Sequence, residues 1–320
     1  MRIFLAPMEG LVDAPMRDVL TATGGIDGCV TEFIRVTNTL LPRKVFERIA
    51  PELEQGWRTP AGTPIAVQFL GSDPACIADN AARAVELGAP SVDINFGCPA
   101  KTVNRHGGGA ALLREPETLR RILGEVRRTV PSGTPVSGKM RLGYEDKSLA
   151  MDCAAALVDG GAAWITVHAR TKVEGYRPPA HWEWIARIRE ASPVNVIANG
   201  DIWTVEDYQR CREVSGCADV MIGRGLITRP DLARQIRAWQ MGEEPVTTPW
   251  ADWLPVIERF CARTIDETPT PRHASGRIKQ WFTYLRAAYT EAGELFEQLK
   301  RENDPEALMA QLQALQAGEA

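Results

Sequence analysis

Short apolar runs recur at fairly even spacing up to about residue 225, and helix-like stretches separate most of them. The runs are continuous rather than alternating, which is typical of parallel strands that helices cover on both faces. We predict strands over Ile3–Met8, Cys29–Phe33, Ile65–Leu70, Val92–Phe96, Val136–Leu142, Trp164–His168, Val194–Asn199 and Val220–Gly223. We predict helices over Pro74–Leu87, Pro116–Val130, Ser148–Asp159 and Thr204–Val214. Eight strand–helix units in roughly 240 residues predict an α/β fold of the (β/α)8 TIM barrel type, and a doubly wound parallel sheet is the alternative.

The pattern changes after Gly242. A polar linker with two prolines spans residues 243–249, and beyond it apolar residues recur every three or four positions, the period of an amphipathic helix. This apolar face carries Ile278, Trp281, Phe282, Leu285, Tyr289, Leu295, Phe296 and Leu299. We therefore predict a barrel domain over residues 1–243 and a small C-terminal helical domain over residues 244–320.

Composition narrows the class of protein. Apolar residues make up 44% of the 320-residue chain and charged residues 24%, which is ordinary for a soluble globular enzyme. Seven cysteines, an odd number at irregular spacing, argue against a disulfide framework and favour a reducing cytoplasm. The chain has no C-x-x-C pair and no H-E-x-x-H motif, so we expect no metal. No apolar run is long enough to cross a bilayer, so we expect no membrane partner.

Polar residues stand at the carboxyl end of nearly every predicted strand. In a (β/α)8 barrel these ends build the active site, so the whole set is a candidate. The set comprises Pro7, Met8 and Glu9 at the first strand, Gln68 at the third, Asn95 and Cys98 at the fourth, Lys139 and Arg141 at the fifth, His168 at the sixth, Asn199, Gly200 and Asp201 at the seventh, and Gly223 and Arg224 at the eighth. Each could separately be a core amide, a core histidine or a helix cap, but their common position favours a functional site.

Cys98 follows a buried strand, where a Gly/Pro turn breaks the ladder and lets the thiol project. A thiol with an ordinary pKa of about 8.5 is mostly protonated at neutral pH, so it can act as an acid as well as a nucleophile. A buried structural cysteine is the alternative for an isolated Cys.

The last two strand ends indicate a phosphate site. Gly200, Gly223 and Gly225 leave backbone N–H groups open to close approach, and the loops after strands seven and eight form the usual phosphate site of this barrel. Arg224 can add a charge-assisted contact. Lys139 on a central strand is costly to bury unless an anionic or carbonyl-rich group meets it, and a reduced flavin ring is such a group. His168 can contact the same ring or its phosphate.

The C-terminal segment suggests a nucleic-acid partner, although the net charge of −4 alone disfavours one. From Thr268 to Thr290 there is no acidic residue. Basic and aromatic side chains alternate there, as in surfaces that contact a phosphate backbone and stack on unpaired bases. They are Arg272, His273, Arg277, Lys279, Trp281, Tyr284, Arg286 and Tyr289. A solvated basic face on an amphipathic helix is the alternative.

Taken together, these motifs resemble the tRNA-dihydrouridine synthases over the whole chain. The resemblance is carried by Ala6-Pro7-Met8-Glu9-Gly10, Asn95-x-Gly97-Cys98-Pro99-x-Lys101, Gly108-Gly109-Ala110-Ala111-Leu112-Leu113, Lys139-x-Arg141, Val167-His168-Ala169-Arg170-Thr171, Ile197-Ala198-Asn199-Gly200-Asp201 and Met221-Ile222-Gly223-Arg224-Gly225. Thr31-Glu32-Phe33-Ile34-Arg35 and Arg277-Ile278-Lys279-Gln280-Trp281 look most like the bacterial C subgroup, which acts on the uridine at D-loop position 16.

The resemblance implies an enzyme that reduces uridine in tRNA to 5,6-dihydrouridine. FMN, reduced by NADPH, would pass a hydride to C6 of the uracil, and Cys98 would deliver a proton to C5. The implied FMN contacts are Pro7, Met8, Glu9, Gln68, Lys139, His168, Asn199, Gly200, Asp201, Gly223 and Arg224. The implied contacts to the base and the tRNA are Arg35, Asn95, Lys101, Arg141, Tyr176, Arg272, Arg277 and Lys279.

Three departures from the family pattern stand out. Phe96 occupies a position where Cys or Met is commoner, and Ala100 one where Ser is common. The segment His273–Arg277 is one residue longer than the usual spacing, which affects the tRNA contacts inferred around it.

Two other functions fit parts of the pattern. One is a small-molecule flavin enzyme of the dihydropyrimidine or dihydroorotate dehydrogenase type, against which the basic helical segment argues. The other is a non-catalytic tRNA-binding protein, against which the set Gln68, Cys98, Lys139 and His168 argues. We expect a monomer, since nothing in the sequence demands an oligomer.

Overall fold

A closed barrel of eight parallel strands, hydrogen-bonded in chain order, forms the core of the computed structural model, which describes residues 1–317. The strands are β1 (Ile3–Leu5), β2 (Gly28–Arg35), β3 (Ile65–Leu70), β4 (Val92–Phe96), β5 (Val136–Arg141), β6 (Trp164–His168), β7 (Asn195–Asn199) and β8 (Val220–Ile222). The predicted (β/α)8 TIM barrel is confirmed, and the doubly wound sheet is excluded because β8 pairs with β1.

Predicted and observed strand ends differ most at β1 and β2. β3, β4 and β6 begin and end at the predicted residues. β1 ends at Leu5 rather than Met8, since Pro7 has no N–H to give to a ladder. β2 shifts register against β3 between Val30 and Phe33, and it continues past the predicted Phe33 because Ile34 and Arg35 also pair with β3.

Helices follow the strands and continue into the C-terminal region. They are α1 (Ala14–Ala22), α2 (Arg43–Ile49), α3 (Pro74–Glu86), α4 (Lys101–Arg105), α5 (Pro116–Thr129), α6 (Ala150–Asp159), α7 (Trp182–Ala191), α8 (Val205–Ser215), α9 (Arg224–Thr228), α10 (Leu232–Gln240), α11 (Trp250–Glu267), α12 (Pro271–Leu285), α13 (Thr290–Leu299) and α14 (Pro305–Ala317). Short 3-10 helices span Pro51–Gln55 and Gly109–Arg114. Within the described residues, no helix is both long and apolar enough to span a bilayer.

Apolar periodicity accounts for the way these helices cover the barrel. In α5, Leu119, Ile122, Leu123 and Val126 recur at helical spacing and are fully buried. Each such side chain contributes roughly 2 kcal/mol through burial. β5 has glycine at position 138, where an added Cβ would lie 3.1 Å from Leu157 and 3.3 Å from Leu123. A small residue on the strand thus leaves room for two leucines from the covering helices.

The chain divides into two compact units. The first contains residues 1–14, 26–202 and 206–223, and therefore all eight strands. The second contains residues 15–25 and 203–205 and everything from Arg224 onward, which includes the predicted C-terminal helices. The assignment of residues 1–243 and 244–320 to a catalytic and a tRNA-binding domain is a functional division, and it stays a prediction.

In the second unit, α1 joins the C-terminal helices through a buried carboxylate. Asp18 is 1% exposed and accepts hydrogen bonds from Arg259 Nη2 at 2.7 Å and Arg263 Nη1 at 2.8 Å. Nearby, the ring centroids of Phe260 and Trp281 lie 4.7 Å apart at an interplanar angle of 71°. The Trp281 indole donates to the Ile227 carbonyl at 3.0 Å.

Replacement of Asp18 by Asn should lower the stability of the protein. It removes the charge that faces two guanidinium groups and turns one acceptor into a donor, which should cost about 1–3 kcal/mol. The midpoint of thermal unfolding reports the loss. Glu117→Gln, which breaks the exposed pair with Arg120, is the matched control and should leave the midpoint unchanged. Equal midpoints for the two variants would contradict the anchoring role of Asp18.

Candidate active site

The carboxyl ends of the barrel strands bring most of the predicted site residues to one rim. Gln68, Asn95, Lys139, Arg141, His168 and Asn199 lie on the strands themselves. Pro7, Met8, Glu9, Cys98, Tyr176, Gly200, Asp201 and Gly223 lie in the segments that follow strand ends. The strand register aligns Asn95 with Lys139 and aligns Arg141 with His168, which is aligned in turn with Asn199.

The Cys98 turn is organised by the side chain of Asn95. The Asn95 Oδ1 atom accepts from the backbone N–H groups of Gly97 and Cys98, both at 2.9 Å. On the other side, the Cys98 carbonyl accepts from Asn104 Nδ2 at 2.9 Å and from the Ala110 N–H at 3.1 Å. Hydrogen bonds before and after the cysteine therefore hold its backbone in one position.

Close approach of the following loop adds to this restraint. Gly109 has a φ of +59°, and a Cβ there would come within 2.9 Å of the Cys98 carbonyl and 3.0 Å of the Cys98 Cβ. Only glycine meets both requirements.

The environment of Cys98 keeps its thiol protonated. Burial raises the pKa of the thiol, and the neighbouring Glu9 carboxylate raises it further. The Ala100 backbone, Arg141 and Arg35 act in the opposite direction but do not outweigh burial. Glu9 has a raised pKa itself, because burial outweighs the effect of Arg48. At neutral pH the Sγ atom therefore carries a proton that it can give up.

A line of buried amides and a carboxylate lies beneath the turn. Asn95 Nδ2 donates to Gln68 Oε1 at 2.8 Å, and Gln68 Nε2 donates to Asp93 Oδ2 at 2.7 Å. Asp93 also accepts from Ser137 Oγ at 2.5 Å. Its pKa is raised by burial, against the effect of these two hydrogen bonds and of Lys139.

The Lys139 ammonium is buried, and the acidic group that acts on it is Asp93. Burial lowers its pKa to about 8, Arg141 lowers it as well, and Asp93 acts in the opposite direction. Its Nζ donates to Asn199 Oδ1 at 3.1 Å, and Asn199 Nδ2 donates to the Met221 carbonyl at 2.7 Å. Asn199 is thus held with its oxygen towards the lysine.

Arg141 joins the Cys98 turn to the loop after β6. Its Nε donates to the Gly97 carbonyl at 2.9 Å, and its Nη1 donates to the carbonyls of Thr171 and Gly175 at 3.0 and 2.8 Å. The Tyr176 ring lies 5.1 Å from the guanidinium carbon and 5.9 Å from the His168 ring. Arg141, a predicted substrate contact, and Tyr176, a predicted base-holding residue, are therefore neighbours, and Tyr176 is 53% exposed.

The turn after β7 packs closely against His168. Gly200 has a φ of +126°, and a Cβ there would lie 3.1 Å from His168 Cδ2. The Gly200 carbonyl accepts from the Trp182 indole at 2.9 Å. Asp201 has a φ of +50° and pairs with the fully buried Arg170.

The first and last strands meet at Met8 and Gly223. A Cβ at Gly223 would lie 3.2 Å from Met8 Sδ, so this position also stays small. The Met8–Gly10 segment is held by Glu32, whose Oε1 accepts from the Gly10 N–H at 2.5 Å. Arg224 begins α9 in the second unit, where its guanidinium carbon lies 4.8 Å from the Trp203 ring.

The residues predicted to contact tRNA differ in their exposure to solvent. Arg35, Lys101 and Arg272 are exposed. Arg277 is only 6% exposed, bonds to Gln280 and lies 5.6 Å from the Phe260 ring. Lys279 Nζ donates to the Glu302 carbonyl at 2.7 Å and to Asn303 Oδ1 at 3.2 Å. Roles for Arg277 and Lys279 in binding tRNA stay predictions.

Two buried charged residues near the active-site candidates, Asp93 and Arg170, were not predicted from the sequence to be part of the site. Asp93 sits inside the apolar run Val92-Asp93-Ile94, and a carboxylate in such a run is itself a signal of a polar barrel interior. Arg170 follows His168 in a segment that reads as the end of a strand. Its burial could not be inferred without knowing that Asp201 and the Arg177 carbonyl meet it.

Several buried polar atoms at the rim suit an anionic, carbonyl-bearing ligand. Thr166 Oγ1 and Arg170 Nη1 are buried and have no hydrogen-bond partner among the described residues. Thr166 is in register with Lys139, whose ammonium has one protein acceptor within the same part of the chain. These buried donors suit a ligand that carries carbonyl or anionic oxygens, such as a flavin. Residues 1–317 contain no cluster of His, Cys, Asp and Glu that could hold a metal ion.

A match to known proteins agrees with this arrangement. The model of the dihydrouridine synthase family matches residues 4–318. The chain belongs to the dihydrouridine synthase family. The match covers both the barrel and the helical C-terminal region, as the sequence resemblance predicted.

Curated bacterial relatives share the same name. The chain is 60% identical over 306 residues to the tRNA-dihydrouridine(16) synthase of Aquipseudomonas alcaligenes, covering 96% of this chain and 97% of the relative. It is 58% identical to the synthase of that name from Pseudomonas putida, covering 95% and 94%, and 54% identical to the one from Cupriavidus necator, covering 95% and 94%. The predicted subgroup is confirmed by these likenesses.

Solved structures support the barrel independently of sequence. A complex of 2-naphthoyl-CoA reductase superposes with a TM-score of 0.58 at 11% identity, covering 77% of this chain and 51% of that one. The old yellow enzyme homologue of Zymomonas mobilis gives 0.51 at 13% identity, covering 79% and 92%. At such identities the likeness is one of fold.

The raised pKa of Cys98 predicts its reactivity. Alkylation consumes the thiolate, so iodoacetamide should modify Cys98 more slowly at pH 7.5 than it modifies a free peptide of residues 95–100, and the midpoint of the rate against pH should be higher than in the peptide. Peptide mass spectrometry resolves Cys98 from the other six cysteines. A midpoint below that of the peptide would contradict a protonated thiol.

Proposed function

We propose that this protein reduces uridine to 5,6-dihydrouridine at position 16 in the D-loop of tRNA. The observation that carries the proposal is Cys98, a restrained and protonated thiol at the end of a barrel strand in a member of the dihydrouridine synthase family. The relatives named tRNA-dihydrouridine(16) synthase support both the substrate and the position. The two alternatives considered from sequence lack an observation of comparable weight.

The cofactor in this proposal is FMN, which NADPH reduces and which, when bound, supplies a hydride for C6 of the uracil. Lys139 would face the ring, since its ammonium lacks a full set of acceptors and would stabilise negative charge there. Pro7, Met8, Glu9, Gln68, His168 and Asn199 are the further candidates to contact it. Gly200, Asp201, Gly223 and Arg224 are the candidates to hold its phosphate.

Cys98 has the acid role in this proposal. Its Sγ proton would go to C5 of the uracil, and the resulting thiolate would be reprotonated from solvent before the next turnover. Burial favours the neutral thiol between turnovers, which suits an acid rather than a nucleophile. Asn95, Arg141 and Tyr176 would hold the base, which must leave its stack to reach the rim, at a cost of a few kcal/mol.

The RNA backbone needs cations that are free to meet phosphates. In the first unit Arg35 and Lys101 are exposed, and in the second Arg272 is exposed. Arg277 and Lys279 complete the predicted set. We propose that these five side chains contact tRNA, with Arg35, Lys101 and Arg272 carrying most of the phosphate contacts.

Position-resolved mapping of dihydrouridine tests the activity. tRNA from cells lacking the gene should lose dihydrouridine at position 16, and the purified protein with NADPH should restore it. Loss at a different D-loop position would keep the chemistry and reject the position. No change, with FMN present in the purified protein, would favour the small-molecule flavin dehydrogenase.

Removal of the Cys98 thiol tests the proton donor. Cys98→Ala should bind FMN and tRNA normally yet lose dihydrouridine formation by a factor of about 100 or more, the usual effect of deleting a positioned acid. Cys76→Ala is the matched control, because Cys76 is the other cysteine that is not fully buried. Full activity of Cys98→Ala would reject the acid role.

A methyl group at Gly200 should weaken FMN binding. It would crowd the His168 ring in a backbone conformation that side chains rarely adopt, at a cost of about 1–3 kcal/mol, or on the order of tenfold in affinity. Flavin absorbance after dialysis measures the occupancy of Gly200→Ala. Gly62→Ala is the control, since Gly62 also has a positive φ but open space around its Cβ position. Equal flavin retention by both variants would contradict a cofactor site at Gly200.

A further inference from the structure

Asp93 lies inside the barrel, beneath the site, and is not itself one of the predicted ligand contacts, although it is hydrogen-bonded to Gln68, which is. It is 2% exposed and in register with Gln68 on β3 and Ser137 on β5. Asp93 and Asn95 are two residues apart on β4, so their side chains project to the same face. This places a carboxylate one step below the asparagine that holds the Cys98 turn.

A continuous line of hydrogen bonds links this carboxylate to the Cys98 backbone. Asp93 accepts from the Gln68 amide, and the Gln68 carbonyl accepts from the Asn95 amide. The Asn95 carbonyl then accepts from the N–H groups of Gly97 and Cys98. Each step has a donor–acceptor distance of 2.7–2.9 Å.

Both ends of the line demand the same orientation of the two amides. A carboxamide can be turned over with little change of shape, which exchanges its donor and acceptor. A backbone N–H can only donate, so Asn95 must turn its oxygen towards Cys98 and its nitrogen towards Gln68. Asp93 accepts with both carboxyl oxygens, from Gln68 and from Ser137, so Gln68 turns its nitrogen towards Asp93 and its oxygen towards Asn95.

We propose that Asp93 is a positioning residue that, through Gln68, fixes the orientation of the Asn95 amide and thereby the position of Cys98. A further consequence concerns the substrate. Asn95 Oδ1 already accepts two hydrogen bonds, and one N–H of Asn95 has no acceptor among the described residues. Asn95 can therefore only donate to a ligand, which selects a carbonyl oxygen, as in uracil, over an amino group, as in cytosine. This consequence rests on the proposed function.

Two substitutions distinguish the role of Asp93 as a hydrogen-bond acceptor for Gln68 from the role of its negative charge. In Asp93→Asn the amide oxygen can face Gln68 while its nitrogen donates to Ser137 Oγ, so the line survives. In Asp93→Leu, of similar size, Gln68 loses its acceptor and both amides can turn over. Ser137→Ala is the matched control, because it removes the other hydrogen bond of the same carboxylate and leaves the line intact.

Alkylation of Cys98 by iodoacetamide is the first measurement, made on the purified protein with Cys76 as the internal reference. Asp93→Leu should change the Cys98 rate about tenfold relative to Cys76, with acceleration expected because a loosened turn exposes the thiol. Asp93→Asn and Ser137→Ala should stay within about twofold of the unsubstituted protein. Where Asp93→Leu does not fold, Gln68→Leu interrupts the same line one step closer and should also accelerate alkylation.

Turnover is the second measurement. Asp93→Leu should lower kcat for dihydrouridine formation by on the order of 100-fold, the effect of a misplacement of about 1 Å, with KM for tRNA and reduction of the flavin by NADPH little changed. An unchanged Cys98 alkylation rate in both leucine variants would overturn the proposal. So would equal effects of Asp93→Asn and Asp93→Leu, because charge rather than acceptor orientation would then matter. If tRNA is not a substrate, the alkylation result still decides the positioning role.

Discussion

Closure of eight parallel strands into one ring is the constraint on which the site depends. All eight parallel strands end on the same rim, and the closed barrel has no edge strand. Residues far apart in sequence therefore converge, such as Asn95, Lys139 and Asn199, which lie near the carboxyl ends of β4, β5 and β7. Since the rim must be partly polar, its side chains have to satisfy one another or await a ligand.

Most polar side chains at the rim are hydrogen-bonded to other protein groups. A line of hydrogen bonds joins Asn95 to Gln68 and Gln68 to Asp93. Arg141 donates to three backbone carbonyls, and Asn199 donates to the Met221 carbonyl. Three side chains on or just after β5 and β6 are exceptions. Lys139, Thr166 and Arg170 keep donors without protein acceptors in the described residues, and burial lowers the Lys139 pKa to about 8. Unsatisfied buried donors are costly, so a bound anionic or carbonyl-bearing group that met these three side chains would offset part of that cost.

The strand pattern and the polar strand ends were predictable from sequence because both are properties of single segments. Apolar runs gave the limits of β3, β4 and β6 to the residue, and Pro64, Gly71 and Gly97 mark ends of the first two. What could not be predicted depends on register between segments. The role of Asp93 requires Gln68 to lie beside it, which only the β3–β4 pairing establishes. Helical spacing did offer a warning about Arg277, because it lies four residues before the buried Trp281 and shares its face.

Burial and charge act on Cys98 in a way that matches an acid better than a base or a nucleophile. Arg35 and Arg141 stabilise a thiolate and would by themselves lower the thiol pKa, as nucleophilic cysteines require. Burial and Glu9 outweigh them, and the net pKa is raised. The same two arginines would still stabilise the thiolate left after proton transfer. Burial and Glu9 therefore keep the thiol protonated between turnovers, while the two arginines lower the free-energy cost of releasing the proton. An acid that must be reprotonated after each turnover needs both effects.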